Sequence, residues 1–152
     1  MFAKKQKVAQ PELWIAAQGV PKSSKSTFYS RLQETLDKLG FDAEVRSICK
    51  PFYNASGLGR PGIDPAVYVK MIMIGFFEDL PSERAIAARC ADSIAIRAFL
   101  NYELDESTPD HSSFTVIRQR LGLDVYQQIF GFTLSALQKH GLLRVKNVGL
   151  DS

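Results

Sequence analysis

Stepped at about 100° per residue, the chain divides into stretches whose apolar side chains return every three or four positions. Ser26 and Thr27 open the first over 28–39, FYSRLQETLDKL, with Phe28, Leu32, Leu36 and Leu39 as its stripe and Gly40 as its stop. FDAEVRSICKPFY reads as a second short helix closed by Pro51, and NASGLGRPGID reads as a loop. Asp64 followed by Pro65 is a strong helix start, because proline at the first position needs no amide partner. The helix predicted over 65–78 is apolar almost all round. That pattern places it at the buried centre, with Ile72 and Phe76 among its most enclosed side chains. LPSERAIAARCADSIAIRAFL gives two helices, the first capped by Ser82, with Ala91, Asp92 and Ser93 as the turn between them. A helix over 112–121 follows the cap at Asp110. Gly122 and Asp124 separate it from VYQQIFGFTLSALQKH, which Gly141 ends.

Only the tail LRVKNVGLDS has strand character, and no other segment offers it a partner. The expected fold is therefore all-α: a compact multi-helix domain with a helix-turn-helix-like segment, and a short C-terminal strand over 145–150 lacking its sheet. A flexible basic arm over 1–26, in which Trp14 and Ile15 are the docking candidates, precedes a helical domain over 27–143. Residues 144–152 stand apart from both.

The length of 152 residues suits one domain with a real core. An apolar fraction of 45% excludes a mostly disordered chain. Net charge is only +3, but its placement is uneven. Lys4, Lys5 and Lys7 have no acid near them. Glu103, Asp105, Glu106 and Asp110 form an acidic loop, and the next helix is purely basic. Local basic patches of this kind point to nucleic acid more than the total charge does. Cys49 and Cys90 sit in apolar surroundings and read as reduced core residues, which suits the cytoplasm. No apolar run is long enough to span a membrane.

Gly57, Gly59 and Gly62 fit a dinucleotide-binding spacing, but no strand precedes them and Pro61 interrupts them. Cys49, Cys90, His111 and His140 match no zinc-ligand spacing. SERAIAARCADSIAIRAF has the outline of a helix-turn-helix with Ala85, Ile86 and Ala88 inward. Its second helix reads DNA poorly, since Ile94, Ile96, Phe99 and Leu100 leave only Ser93 and Arg97 as outward polar groups. Two packed core helices explain the segment equally well. The better reader is 112–121. Phe114, Ile117 and Leu121 share its inner face, while Ser112, Thr115, Val116 and Gln119 share the outer one, flanked by Arg118 and Arg120. Glutamine pairs bidentately with adenine, Thr and Val methyls meet the thymine methyl, and arginine grips guanine or phosphate. Arg84, Arg89 and Arg97 are candidates for further phosphate contacts. An ordinary solvated face is the competing account.

FYSRLQETLDKLGFDAEVRSICKPFY, GRPGIDPAVYVKMIMIGFFEDLPSERAIAARCADSIAIRAFL and TPDHSSFTVIRQRL, in that order, resemble the amino-terminal domain of bacterial insertion-sequence transposases. The most similar group is the DDE transposases related to insertion sequence five. The resemblance implies a helical domain that binds the element's terminal inverted repeats and precedes a ribonuclease-H-like catalytic domain, of which 144–152 would be the truncated start. VGLDS resembles that domain's first strand, making Asp151 the first acid of the DDE triad and one of its metal ligands. A complete family enzyme holds two divalent cations, Mg²⁺ by implication, on three carboxylates. With one such carboxylate the chain is expected to need no cofactor and to be inactive alone. Its expected partners are double-stranded DNA and a second copy of itself, with no membrane, in the cytoplasm on the nucleoid. The alternative is a truncated remnant acting as a dimerisation or interaction module, or as a repressor.

Overall fold

The computed structural model of the chain describes residues 24–53 and 62–140. The arm with Lys4, Lys5, Lys7, Trp14 and Ile15, the glycines 57 and 59, the strand over 145–150 and Asp151 all lie outside the described residues. Within them there is no strand. The order is α1 (Ser24–Lys38), α2 (Phe41–Cys49) with a 3₁₀ turn (Lys50–Phe52), α3 (Pro65–Phe77), α4 (Glu83–Asp92), α5 (Ile94–Phe99), α6 (His111–Arg120) and α7 (Leu123–Lys139). The fold is all-α, as the periodicity predicts.

The helix starts follow local chemistry. The Asp64 carboxylate accepts the Ala66 amide at 2.9 Å, with Pro65 at the first position. Ser82 Oγ accepts from Ala85 N at 3.1 Å, and Ser93 Oγ from Ile96 N at 3.3 Å. Each oxygen satisfies an amide the helix cannot. Gly40, at φ 64°, makes the left-handed corner between α1 and α2 that a side chain would strain.

α1 packs on α2 and α5, α2 also on α3 and α7, and α4 on α3, α5 and α6. Phe41, Val45, Cys49, Met71, Ile74, Cys90, Ile96 and Phe114 form one continuous core between them. The Tyr68 and Tyr126 hydroxyls, 2.8 Å apart, tie α3 to α7. Both cysteines are free and buried, and burial pushes the Cys90 thiol up to about 12.

Four inner faces differ from those expected. On α1 the buried aromatic is Tyr29, packed against Phe99 of α5 at 5.3 Å between ring centres, while Phe28 is 45% exposed. α4 buries Ala87 and Cys90 and leaves Ala88 outside. Ile94 is exposed at the start of α5. On α3, Ile72 is 37% and Phe76 82% exposed, which overturns their expected burial. A helix with no polar face cannot say which side the core will take. Here the neighbours decide: Gly75 faces α4 so closely that a Cβ would stand 2.5 Å from Ile86 Cδ1. Ile72 and Phe76 then point away.

Lys70 is the one buried charge among the described residues, 4% exposed. Its Nζ lies 3.0 Å from Asp42 Oδ1 and donates to Oδ2 at 3.1 Å and to Gln33 Oε1 at 3.0 Å. The aligned donor goes to Oδ2, so Oδ1 keeps the charge contact without a hydrogen bond. The Phe99 ring lies 5.3 Å away.

Candidate nucleic-acid interface

α6 begins where Asp110 stops the acidic loop. The Asp110 carboxylate accepts the His111 amide at 2.6 Å and Ser112 Oγ at 3.2 Å. The His111 amide is also the main reason its carboxyl titrates below the usual range. Phe114 and Ile117 are buried, with Leu121 closing the turn, so the inner face is as the spacing predicts. Ser112, Val116, Gln119 and Arg120 are exposed, and Thr115 is half-buried.

Along this helix runs an open groove of about 740 Å³, walled by Gly62 and Ile63 on one side and Ser107–Pro109 on another. Its floor carries Ser112, Ser113 and Val116. The two acids at its edge are occupied. Asp64 Oδ2 accepts from Arg46 Nε at 3.0 Å and Nη2 at 2.6 Å, while Oδ1 accepts the capping bond. Asp110 is committed to the α6 amide. Arg120 stands at the rim with its guanidinium 4.8 Å from the centre of the Tyr53 ring. Tyr53 is fixed in turn by its hydroxyl, which donates to the Ile63 carbonyl at 3.0 Å. Burial raises the Tyr53 hydroxyl above its ordinary range, with Arg120 pulling it back. A Cβ on Gly62 would stand 3.3 Å from both the guanidinium and the tyrosine ring. Arg120 is thus an exposed cation positioned against the Tyr53 ring.

The other predicted arginines divide. Arg84 is exposed in the first turn of α4 and has no ion pair among the described residues. Arg118 pairs with Glu83 at 2.6 Å, which joins the end of α6 to the start of α4 near Arg84. Arg89 is bound to Glu78 at 2.7 and 3.2 Å. Arg97 donates to the carbonyls of Ala91, Glu103 and Glu106 at 2.8, 3.2 and 2.8 Å. Arg89 and Arg97 therefore hold the domain together rather than standing ready for phosphate. Sequence reasoning missed Tyr53, Glu83 and Glu78 as partners, since no short spacing links positions 67, 35 or 11 residues apart.

Residues 19–120 match the model of the family described as Transposase domain (DUF772). The chain belongs to this transposase-domain family. No curated protein matches it, and no solved structure does. The transposase domain so delimited ends with α6, so the match takes in all of α1–α6 and every wall of the groove. No helix among its described residues is long and apolar enough to cross a membrane. Among the described residues no three His, Cys, Asp or Glu side chains cluster.

Proposed function

We propose that this transposase domain binds double-stranded DNA and that its target is the terminal inverted repeat of an insertion sequence. The observation that carries the reading is the outer face of α6. It presents Ser112, Val116 and Arg120 along an open groove whose acids are already engaged, with Gln119 exposed beside them. A ten-residue helix fits the major groove, where each base pair shows a distinct pattern of donors, acceptors and methyls. Gln119 supplies the bidentate amide for adenine, and Val116 with Thr115 the methyl contact for thymine. Arg120 and Arg84 supply cations for guanine or phosphate. The resemblance to DDE transposases of the group related to insertion sequence five supports the same reading, with Asp151 as the first acid of a complete enzyme.

The test is titration of the chain onto a labelled duplex bearing the repeats that flank its gene, and onto a scrambled duplex, followed by anisotropy. Gln119→Ala is expected to lose about 1–3 kcal/mol of discrimination at one base pair. Its affinity for the scrambled duplex should stay the same. Arg120→Ala should weaken both duplexes and lower the salt slope by about one. Equal loss on both duplexes for Gln119→Ala would remove α6 as the reading helix.

A further inference from the structure

Charge changes sign along α6. Between Arg97 and Arg118 the chain has no lysine or arginine, and it carries Glu103, Asp105, Glu106 and Asp110, all exposed. From His111 to Leu123 it has no acid, the next being Asp124 of α7, and Arg118 and Arg120 stand exposed in the last turn. The helix dipole favours an acid at the cap and arginines at the far end. It asks nothing of Glu103 and Asp105, which lie in the loop ahead of the helix. That loop is nevertheless fixed. Arg97 holds the Glu103 and Glu106 carbonyls at 3.2 and 2.8 Å, and the Glu106 carboxylate accepts the Glu103 amide at 2.7 Å. The backbone that carries the acids is therefore held in place.

The other end is built in the opposite sense. Arg118 and Arg120 are two residues apart, about 200° around the helix, with Gln119 at the centre of the exposed arc between them. Contacts set them on its two flanks. Arg118 reaches Glu83 of α4 at 2.6 Å, and Arg120 lies against the Tyr53 ring just past the 3₁₀ turn that follows α2. A helix about 10–12 Å across fills a major groove about 12 Å wide, whose two walls carry phosphates. Asp110 and Arg120 are about 15 Å apart along the axis, more than a Debye length at physiological salt. Each end therefore meets a duplex with its own sign of charge.

We infer that α6 enters the major groove by its C-terminal half. Gln119 meets the base edges, with Val116 and Thr115 one turn behind it, and Arg118 and Arg120 meet the two walls. The acidic loop keeps Ser112 and the start of the helix off the duplex. This rests on the reading of α6 as the DNA-facing helix and adds which end of it leads. The pair with Glu83 does not withhold Arg118, because an exposed ion pair is weak and leaves other guanidinium donors free.

The test places a cleaving group at each end of the helix. Cys49 and Cys90 are fully buried, so a thiol-reactive iron–EDTA reagent attaches to an introduced cysteine alone. Ser112→Cys puts it at the start of α6, and Leu123→Cys, at a 71% exposed site, puts it just past the end. Each conjugate of the full chain is bound to the labelled repeat duplex, with anisotropy to verify binding. Hydroxyl-radical cleavage is expected from Leu123→Cys, with only background from Ser112→Cys. Adding Glu103→Gln and Asp105→Asn should raise affinity for the scrambled duplex about two- to tenfold and bring up cleavage from Ser112→Cys. Glu106 is spared, since its carboxylate holds the loop. Equal cleavage from both ends, stronger cleavage from Ser112→Cys, or a Ser112→Cys pattern indifferent to the lost acids would overturn the inference and leave α6 as the reading helix. Absence of binding by the parent chain to either duplex would remove the DNA reading itself, and this inference with it.

Discussion

Arg97 shows how far a residue's role can lie from its charge. Its guanidinium gathers three carbonyls, one from the end of α4 and two from the loop before α6. Without it the loop loses the anchor that sets the start of α6. Arg97→Ala should therefore lower stability by about 1–2 kcal/mol. It should weaken DNA binding without changing the salt slope, whereas Arg120→Ala changes the slope. A slope reduced by one in Arg97→Ala would return this arginine to the phosphate. The capping residues Asp64, Ser82 and Asp110 were legible from sequence, because a cap acts within three positions of itself. Arg89, Arg97 and Arg118 were not, since their partners are brought to them by packing. In a list of basic residues a structural arginine and a solvent-facing one look alike.

At the scale of elements, the helices follow the 3.6-residue period closely, and their ends fall within a few residues of the capping and glycine signals. Direction is harder. α6 has one apolar face and one polar face, so its inner side could be read from Phe114, Ile117 and Leu121. α3 has no such contrast, and the choice passes to its contacts. The tightest is Gly75 against Ile86. Gly75→Ala sets a flexible side-chain end against a gain in helix propensity of about 1 kcal/mol, and should be near neutral. Gly75→Val adds bulk the pair cannot absorb and should cost about 2 kcal/mol. Urea melts of the two variants decide this. Equal, small effects would mean that α3 and α4 are free to move apart.

For the molecule as a whole, the all-α class was legible because it depends on period alone. The assembly of the groove was not. It joins Tyr53, Gly62, the 107–110 segment and α6, which meet only after α2, α3 and α6 have packed. The exposed aromatic end of α3 was hidden for the opposite reason: a run of apolar residues reads as core on every side. The groove lies at one end of α3 and the exposed aromatic face at the other.

Lys70 bears on a different property, the uniqueness of the fold. It is the only charged residue of α3, in a helix whose remaining surface is apolar in nearly every direction. Turning such a helix about its axis exchanges one greasy surface for another at little cost, so hydrophobic burial leaves its orientation nearly degenerate. Only one orientation delivers the Lys70 ammonium to Asp42, Gln33 and the Phe99 ring. The others either bury it unpaired, at a cost of several kcal/mol, or carry it to the exposed side where Ile72 and Phe76 now stand, and lose all three partners. Lys70→Met should therefore melt as high as the parent chain or higher. Its amide spectrum should nevertheless be broadened by exchange among packings. A sharp, parent-like spectrum would show that shape alone selects the orientation, and a collapse in stability would show that the ion pair sustains the fold itself.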